Sequence, residues 1–307
     1  MYSRRVPRIA LVVNPRAGRG RVDRELPALL DTIAAAGLTT DVKETGHRGH
    51  AVELARQAAH DGFDTVVAVG GDGTVNEVVN GLIEGDRPVS EVALGVVSAG
   101  SGADFARTFD LPKHVDHALA GISGASRRLD VGKISCLAPD GSSPVIRYFV
   151  NAADAGMAAA TVERAERLPR WLGKIRYLIA FGPSLARFDP AEMTVQTPDG
   201  SYTGRAHNAL VANGRFLGGG MHISPHSDPS DGRFDVQVNI GPKRQAFTLI
   251  PKIYRGTHLP DDLIIQMAGP TVTIDAERLL PIEADGEMVG LTPATFSVLP
   301  GILPLVA

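Results

Sequence analysis

The sequence predicts an α/β domain followed by a second, β-rich domain. Strand-like and helix-like segments alternate over the first 130 or so residues, which is typical of a layered α/β domain. Strands and turns dominate from Glu192 to Gly241, and a chain of 307 residues is long enough for two ordinary domains. We predict that the first domain covers 1–131 and 292–307, and that the second covers 132–291.

The first domain is predicted from short apolar runs and from one helical repeat. Leu26, Leu29, Leu30 and Ile33 recur at helical spacing, and Gly37 ends that helix. The predicted strands are Ile9–Val13, Thr39–Thr45, Thr65–Val69 and Ala93–Val97, and the predicted helices are Glu25–Ala36 and His50–His60.

The second domain is predicted because the regular alternation of strand-like and helix-like segments ends after about Asp130. Thr197-Pro198-Asp199-Gly200 indicates a hairpin turn between strands Met193–Gln196 and Tyr202–Ala206. The other predicted elements are helices Ala158–Leu168 and Trp171–Phe188 and strands Phe234–Ile240, Leu263–Met267, Thr271–Asp275 and Thr295–Leu299.

Composition excludes several classes of protein. A net charge of −3 argues against an electrostatic nucleic-acid binder. Cys136 is the only cysteine, which excludes an internal disulfide and Cys-cluster metal sites and suits a reducing cytosol. No apolar run approaches the roughly 20 residues of a membrane span. We therefore expect a cytoplasmic protein whose membrane contact is peripheral.

The most informative segment joins a predicted strand to a predicted helix. Thr65–Val69 leads into Gly70-Gly71-Asp72-Gly73-Thr74-Val75-Asn76-Glu77. Glycines at such a turn let backbone N–H groups approach an anion, and a helix N-terminus adds donors and a positive dipole end. Thr74 and Glu77 have the spacing of a capping box. An ordinary strand–turn–helix without a ligand is the alternative.

Two more loops are predicted at the same edge of the sheet. Asn14–Gly20 follows the first strand, and Ser98–Phe105 follows the fourth. Loops at the carboxyl ends of strands in an open α/β sheet share one crevice. The Gly-Lys-Ser/Thr ending of a Walker A loop and the Gly-x-Gly-x-x-Gly of a dinucleotide fold are both absent.

Together these residues resemble the diacylglycerol kinase catalytic family. The resemblance continues in order along the chain. Its later blocks are Leu129-Asp130-Val131-Gly132, Asn213 with Gly218-Gly219-Gly220, Pro225 through Asp231-Gly232, and Asp285-Gly286-Glu287. The Gly-Gly-Asp-Gly-Thr block also occurs in NAD kinases and phosphofructokinases. The resemblance implies a β-sandwich-like second domain and an active site in the cleft between the domains.

The resemblance also implies a lipid alcohol as substrate and ATP and Mg²⁺ as cofactors. The nucleotide contacts that it implies are Asn14, Thr45, Gly70, Gly71, Asp72, Gly73, Thr74, Val75, Asn76 and Ser101. Thr45 can equally be a threonine that merely ends a strand.

Aspartates carry the remaining implied roles. Asp72, Asp104 and Asp130 are expected to hold Mg²⁺, mostly through water, and each is expected to end or follow a strand. Turn or helix capping is the alternative for Asp104 and Asp130. Asp231 is implied as a ligand of a second, structural Mg²⁺, although a metal-free Asp-Gly turn is equally compatible with the residues.

The general base that the resemblance implies is Asp285, which would accept the proton of the lipid hydroxyl. An Asp-Gly pair in a surface hairpin is the alternative from the residues alone. The family usually has threonine and asparagine where this chain has Ser101 and Ala103, and proline-leucine where it has Ser98 and Ala99. These departures bear on nucleotide affinity.

The segment Leu168–Phe188 is basic and apolar. It combines Arg176 and Arg187 with Trp171, Leu178 and Ile179. Such a helix can lie on an anionic membrane, or it can pack one apolar face on its own domain, as surface helices usually do. Two further functions stay open, a NAD-kinase-like enzyme and a catalytically silent nucleotide- or lipid-binding homologue. The oligomeric state is also open, and a homodimer is one alternative.

Overall fold

A computed structural model describes residues 7–99, 103–111, 126–169, 172–173 and 175–306. The chain forms two compact units. The first comprises Met1–Asp130 with Pro300–Ala307, and the second comprises Val131–Leu299.

The first unit is an open α/β sheet. Its elements are β1 (Ile9–Val13), α1 (Ala17–Ala35), β2 (Thr40–Glu44), α2 (His50–His60), β3 (Thr65–Gly70), α3 (Asp72–Leu82), the short β4 (Ile83–Glu84) and β5 (Arg87–Pro88), β6 (Ala93–Ser98) and α4 (Asp104–Thr108). The sheet order is β2-β1-β3-β6, all parallel, and the end of the last strand of the chain pairs with β6 through Leu305 and Leu94.

Burial explains why these segments form strands and helices. Every residue of β1 and β3 is buried, as expected for central parallel strands covered on both faces. Helix α1 packs Val22, Leu26, Leu29 and Ile33 into the core. The predicted strands of this unit and helix α2 are confirmed to within one residue at each end.

The start of α1 differs from the prediction because of its glycines. Gly18, Arg19 and Gly20 all have left-handed backbone angles, with φ of 60°, 62° and 76°. A Cβ atom at Gly18 would lie 2.5 Å from the carbonyl oxygen of Ala99. Glycine is therefore required for the loop after β1 to approach the loop after β6.

The second unit is β-rich with three helices. Its elements are β7 (Ser126–Leu137), which begins in the first unit, β8 (Pro144–Phe149), β9 (Ala152–Gly156), α5 (Met157–Glu166), α6 (Ile175–Arg187), β10 (Ala191–Thr197), β11 (Gly200–Ala206), β12 (Asn208–Ala212), β13 (Phe234–Asn239), α7 (Ala246–Arg255), β14 (Ile264–Gly269), β15 (Thr271–Ala276), β16 (Pro281–Ala284) and β17 (Glu287–Val306), which ends in the first unit.

Antiparallel pairing organises this second unit. One run of strands has the order β14-β13-β12-β9-β16-β17, while β10 pairs with β11 and β15. The core contains Phe149, Phe234 and Phe296, all fully buried. The predicted hairpin is confirmed as β10 and β11. The sequence analysis missed β7, β8, β9, β12, β16 and α7, but the predicted fold class is confirmed.

Candidate active site

The order of strands in the first unit creates a binding position for a ligand. From β1 the chain moves to β2 on one side and then crosses to β3 on the other side. In open α/β sheets, ligands bind outside the carboxyl ends of the strands at such a switch point. Asn14 directly follows β1, and Gly71 directly follows β3. The predicted phosphate loop therefore lies at the switch point of the sheet.

A hydrogen bond joins the two loops at this point. Asn14 Nδ2 donates to Oγ1 of Thr74 at 3.2 Å, and Asn14 Oδ1 accepts the N–H of Arg16, also at 3.2 Å. A Cβ atom at Gly70 would lie 2.4 Å from Thr74 Oγ1. Gly70 is thus needed for the position of the Thr74 side chain.

The predicted capping box is wrong. Helix α3 begins at Asp72 after the N-cap residue Gly71, and no side chain among the described residues caps it. The carboxylate of Glu77 instead accepts the backbone N–H groups of Gly49 and Ala51, at 2.9 and 3.2 Å. Glu77 therefore caps the start of α2, because its side chain reaches the neighbouring helix rather than its own first turn.

The other predicted nucleotide contacts lie around the same edge. Thr45 follows β2, and its N–H donates to Val13 O at 2.8 Å. Val75 is buried, which leaves only its backbone for a ligand. The side chain and carbonyl of Asn76 accept from Asn80 Nδ2 at 3.1 and 2.9 Å. The predicted contact Ser101 lies outside the described residues.

Two of the predicted metal ligands stand at helix starts. Asp72 is the first residue of α3, and its Oδ1 accepts the N–H of Phe105 at 3.1 Å. Asp104, the first residue of α4, is buried and forms an ion pair with Arg107 at 3.3 Å. The Phe105 contact brings the loop after β6 to the loop after β3.

Asp130 departs from the expected position. It lies inside β7 rather than after a strand, and it is only 1% exposed. Its Oδ1 accepts the N–H of Gly301 at 2.5 Å, so this carboxylate also ties β7 to the end of the chain. The strand was missed because Ser126-Arg127-Arg128 lacks the apolar alternation of a typical strand.

The chemistry of these carboxylates suits Mg²⁺, which prefers oxygen ligands and keeps several waters. Across the described residues, no three His, Cys, Asp or Glu side chains come together as a metal-binding group. The donor set therefore fits an ion held by one or two carboxylates, waters and phosphate oxygens. It does not fit an ion enclosed by three protein carboxylates.

In the second unit, Asp285 occupies the turn between β16 and β17. Asp285 and Gly286 form a two-residue turn with φ of 49° and 84°, both left-handed. The Asp285 carboxylate accepts three backbone N–H groups, from Val150, Asn151 and Ala152, at 2.9, 2.9 and 3.2 Å. A plain hairpin turn needs no such carboxylate contacts, so the structure fixes this side chain in orientation.

The segment that holds Asp285 is itself held in place. Asn213 Nδ2 donates to Val150 O, and its backbone N–H donates to Asn151 O, both at 2.9 Å. Asn213 and Asn151 are almost fully buried. Asn213 was singled out only through the family resemblance, and its role here is to support the backbone donors of Asp285.

Two acidic residues near Asp285 were missed by the sequence analysis. Glu283 and Asp154 are each 1% exposed, and they are cross-strand partners on β16 and β9. Burial raises the pKa of Asp154 to about 7. Burial and the neighbouring Asp154 raise the pKa of Glu283 well above its ordinary value. The alternation along Ile282-Glu283-Ala284 is typical of a strand, but it would have placed Glu283 in solvent rather than in the core.

Asp231 stands in a turn-rich loop of the second unit, between β12 and β13. Its Oδ1 accepts the N–H of Arg233 at 2.9 Å, and its own N–H donates to Asp228 O at 3.3 Å. Asp228 Oδ1 accepts from the backbone and hydroxyl of Ser230 at 3.1 and 2.6 Å. These side-chain turns order the loop, and the structural Mg²⁺ at Asp231 stays a prediction.

Two exposed apolar faces were found in the second unit. On α6, Ile175, Leu178 and Ile179 are 59%, 75% and 46% exposed, and on α7, Phe247 and Tyr254 are 73% and 55% exposed. Trp171, which was predicted to begin the first of these helices, lies outside the described residues. None of the helices in the described part of the chain is long and apolar enough to cross a membrane.

Comparison with known proteins agrees with this arrangement. The model of the diacylglycerol kinase catalytic domain matches residues 8–134, and that of the YegS C-terminal NAD kinase beta sandwich-like domain matches residues 151–307. A diacylglycerol kinase of Bacillus subtilis (strain 168) is 30% identical over 294 residues, covering 94% of this chain and 92% of the relative. One of Staphylococcus aureus (strain MRSA252) is 29% identical over 296 residues, covering 94% and 89%.

Solved structures show the same fold. A diacylglycerol kinase crystal structure from Bacillus anthracis str. Sterne superposes with a TM-score of 0.73 at 23% identity, covering 97% of this chain and 96% of that one. A second crystal structure from the same organism gives a TM-score of 0.77 at 26% identity, with the same coverage.

The two matched domain families and the curated relatives, which cover most of the chain, identify a two-domain lipid kinase. The chain belongs to the diacylglycerol kinase catalytic family. The lipid-kinase interpretation is thereby favoured over the dinucleotide kinase and the silent homologue that the sequence left open.

Proposed function

We propose that this protein transfers the γ-phosphoryl group of ATP to the hydroxyl of diacylglycerol or a related lipid alcohol. The observation that carries the proposal is the hydrogen bond between Asn14 and Thr74, which joins the loops after β1 and β3 at the switch point. There the N-terminus of α3 presents backbone donors and a positive dipole end to a phosphate. A cradle of this kind can bind the phosphates of a nucleotide although the loop has no Walker lysine.

In the proposed reaction, the lipid hydroxyl oxygen bonds to the γ-phosphorus, the bond from that phosphorus to the β,γ-bridging oxygen breaks, and ADP leaves. Asp285 orients the hydroxyl and accepts its proton as that bond forms. The three N–H donors around Asp285 support this role, since they fix the carboxylate before substrate arrives.

Mg²⁺, when bound with ATP, would neutralise charge on the transferring phosphoryl group. Asp72 and Asp104 are the residues of this chain that we propose to hold it, largely through water. Asp130 would act mainly by fixing the strand beside Gly301, given the hydrogen bond between them.

We also propose that the protein meets its lipid at an anionic membrane surface. Segments Ile175–Arg187 and Lys243–Arg255 contain no Asp or Glu. The cations in them are Arg176, Arg187, Lys243, Arg244, Lys252 and Arg255. Lys243 Nζ donates to Ala186 O at 2.9 Å, so the start of the second segment contacts the end of α6. Lys243 also pairs with Asp189 at 3.7 Å, just outside the two segments. Exposed apolar side chains beside an excess of cations match an interfacial surface on anionic lipid.

The decisive experiment offers γ-labelled ATP to purified protein with three acceptors: diacylglycerol in phosphatidylglycerol vesicles, sphingosine in the same vesicles, and NAD in solution. We expect label in a lipid product by thin-layer chromatography, and Asp285→Asn as the matched control to abolish it. Labelled dinucleotide without labelled lipid would refute the proposal. Nucleotide binding without any turnover would instead identify a silent homologue.

The membrane surface is tested separately by flotation with vesicles. Leu178→Glu and Phe247→Glu each place an acid on an exposed apolar face. Glu163→Leu, which removes an acid from a half-buried position on α5, serves as the control. We expect the first two variants to lose vesicle binding while they still phosphorylate diacylglycerol dispersed in detergent. Unchanged flotation of both would remove α6 and α7 from the proposal.

A further inference from the structure

Two buried acidic residues lie in the core of the second unit, beside the turn that carries Asp285. Glu283 lies on β16 two residues before Asp285, and Asp154 is its partner in register on β9. Side chains directly opposite one another on antiparallel strands share a face, with Cβ atoms about 5 Å apart. Both residues are 1% exposed, so two carboxyl groups face one another inside the second unit.

In the part of the chain that the structure describes, no positive charge acts on the pair to compensate it. Asp154 accepts from Asn208 Nδ2 at 2.6 Å and from the N–H of Ala159 at 3.4 Å. The charged groups that act on Glu283 are Asp154 and Asp285, both acidic. Helix α5, which packs on β16, carries Glu163 and Arg164, and Glu163 pairs with Arg167. Among the described residues, no Lys, Arg or His forms an ion pair with Glu283 or Asp154.

Two buried carboxyl groups at this spacing cannot both be ionised, because each charge is desolvated and repels the other. The raised pKa of Glu283 agrees with this argument. Glu283 has a second acidic neighbour in Asp285, so its charge is disfavoured more than that of Asp154, and Glu283 is the member that keeps its proton. A protonated carboxyl still offers an acceptor oxygen, and Glu283 Oε2 accepts the N–H of Gly286 at 2.8 Å.

That hydrogen bond closes the turn in which Asp285 stands. Asp285 has φ of 49°, a left-handed angle that costs free energy in a non-glycine residue unless the surroundings hold it. Glu283 accepts the N–H of Gly286 and so holds the turn. The N–H groups of Val150, Asn151 and Ala152, at the start of β9 and just before it, hold the Asp285 carboxylate.

We propose that Glu283, kept uncharged by Asp154 across the strand pair, is a positioning residue that fixes the Asp285–Gly286 turn and hence the proton-accepting carboxylate. The inference rests on the proposed function for its kinetic consequence only. The structural consequence, a turn locked by a neutral acid, holds whether or not a lipid is the acceptor.

The experiment compares Glu283→Gln, which keeps a neutral acceptor, with Glu283→Ala, which removes it, and uses Asp262→Asn as an exposed-carboxyl control. The kcat for lipid phosphorylation is measured from pH 6 to 9. We expect the wild-type kcat to fall on the alkaline side, where an ionised Glu283 would repel Asp154 and the Asp285 carboxylate. Glu283→Gln should keep neutral-pH activity within about threefold and show a smaller alkaline fall. Glu283→Ala should lower kcat about 10- to 100-fold with the KM for ATP unchanged.

An identical alkaline fall in wild type and Glu283→Gln, or wild-type kcat in Glu283→Ala, would overturn the inference. Hydrogen–deuterium exchange supplies a readout independent of catalysis. At one pH, the amides of 150–152 and 286 should exchange faster in Glu283→Ala than in wild type and Glu283→Gln, and equal exchange would count against it. Lipid phosphorylation absent from wild type, with the exchange difference present, would refute the proposed function alone.

Discussion

Asn14 and Thr74 lie 60 residues apart in sequence, yet the amide of the first donates to the hydroxyl of the second at 3.2 Å. The contact ties together the loops after two adjacent parallel strands at the point where the strand order reverses. It therefore joins the proposed nucleotide cradle into a single structure rather than two independent loops.

Substituting Asn14 tests whether phosphate binds at this contact. Asn14→Ala removes one neutral hydrogen bond, so we expect ATP affinity to fall by at most about tenfold. Asn14→Asp should be clearly worse, because it adds a negative charge where we expect phosphate. Isothermal titration with ATP measures both variants, and adenosine is the uncharged control. Equal losses for the two variants would show that no phosphate lies near Asn14.

Glu77 gives a prediction about stability rather than binding. Its carboxylate accepts two N–H groups at the start of α2, and charge-assisted hydrogen bonds are stronger than neutral ones. We expect Glu77→Ala to lower the free energy of unfolding by about 1–3 kcal/mol. Glu53→Ala, on an exposed position of the same helix, should change it by less than about 0.5 kcal/mol. Urea unfolding measures both, and similar values for the two would contradict the capping role.

The wrong capping prediction shows that side-chain partners set by tertiary packing cannot be predicted from local spacing. Local spacing between Thr74 and Glu77 predicts a capping box, but which N–H a side chain reaches depends on the packing of α2 on α3. Buried parallel strands such as Ile9–Val13 were predicted to the residue, because apolar β-branched runs bounded by polar loops leave little alternative.

The residues of the candidate site were predicted from the sequence, but the contacts that hold them were not. Gly70–Asn76 and Asp285 follow from motif and resemblance, whereas the contacts that fix them come from distant parts of the chain. Asn213 holds Val150 and Asn151, and Glu283 holds Gly286. Such contacts depend on strand pairing, which no local pattern encodes.

Asp285→Asn separates catalysis from folding. Asparagine tolerates the left-handed angle of this position and keeps one acceptor oxygen for the N–H groups of Asn151 and Ala152. It cannot accept the proton of the lipid hydroxyl, so we expect kcat to fall about 10²- to 10⁴-fold. ATP affinity should stay unchanged, which titration checks. A variant that retains wild-type kcat would limit Asp285 to a structural role.

The buried acids give a pH dependence of stability with a definite sign. In the unfolded chain Asp154 ionises near pH 4, whereas burial raises its folded pKa to about 7. Between these values the folded state binds more protons than the unfolded state, so the free energy of unfolding falls as pH rises. This contribution is fully present below about pH 4 and is lost as pH rises through about 7.

Asp154→Asn should remove this loss, since asparagine has no carboxyl to ionise and keeps an acceptor for Asn208. Urea unfolding at pH 5.5 and pH 8 measures the difference between the two conditions for each protein. We expect that difference to be smaller in the variant by about 2 kcal/mol, with Asp262→Asn behaving as wild type. If the variant loses as much stability as wild type between the two pH values, ionisation of Asp154 is not the source of the loss, and burial does not raise its pKa.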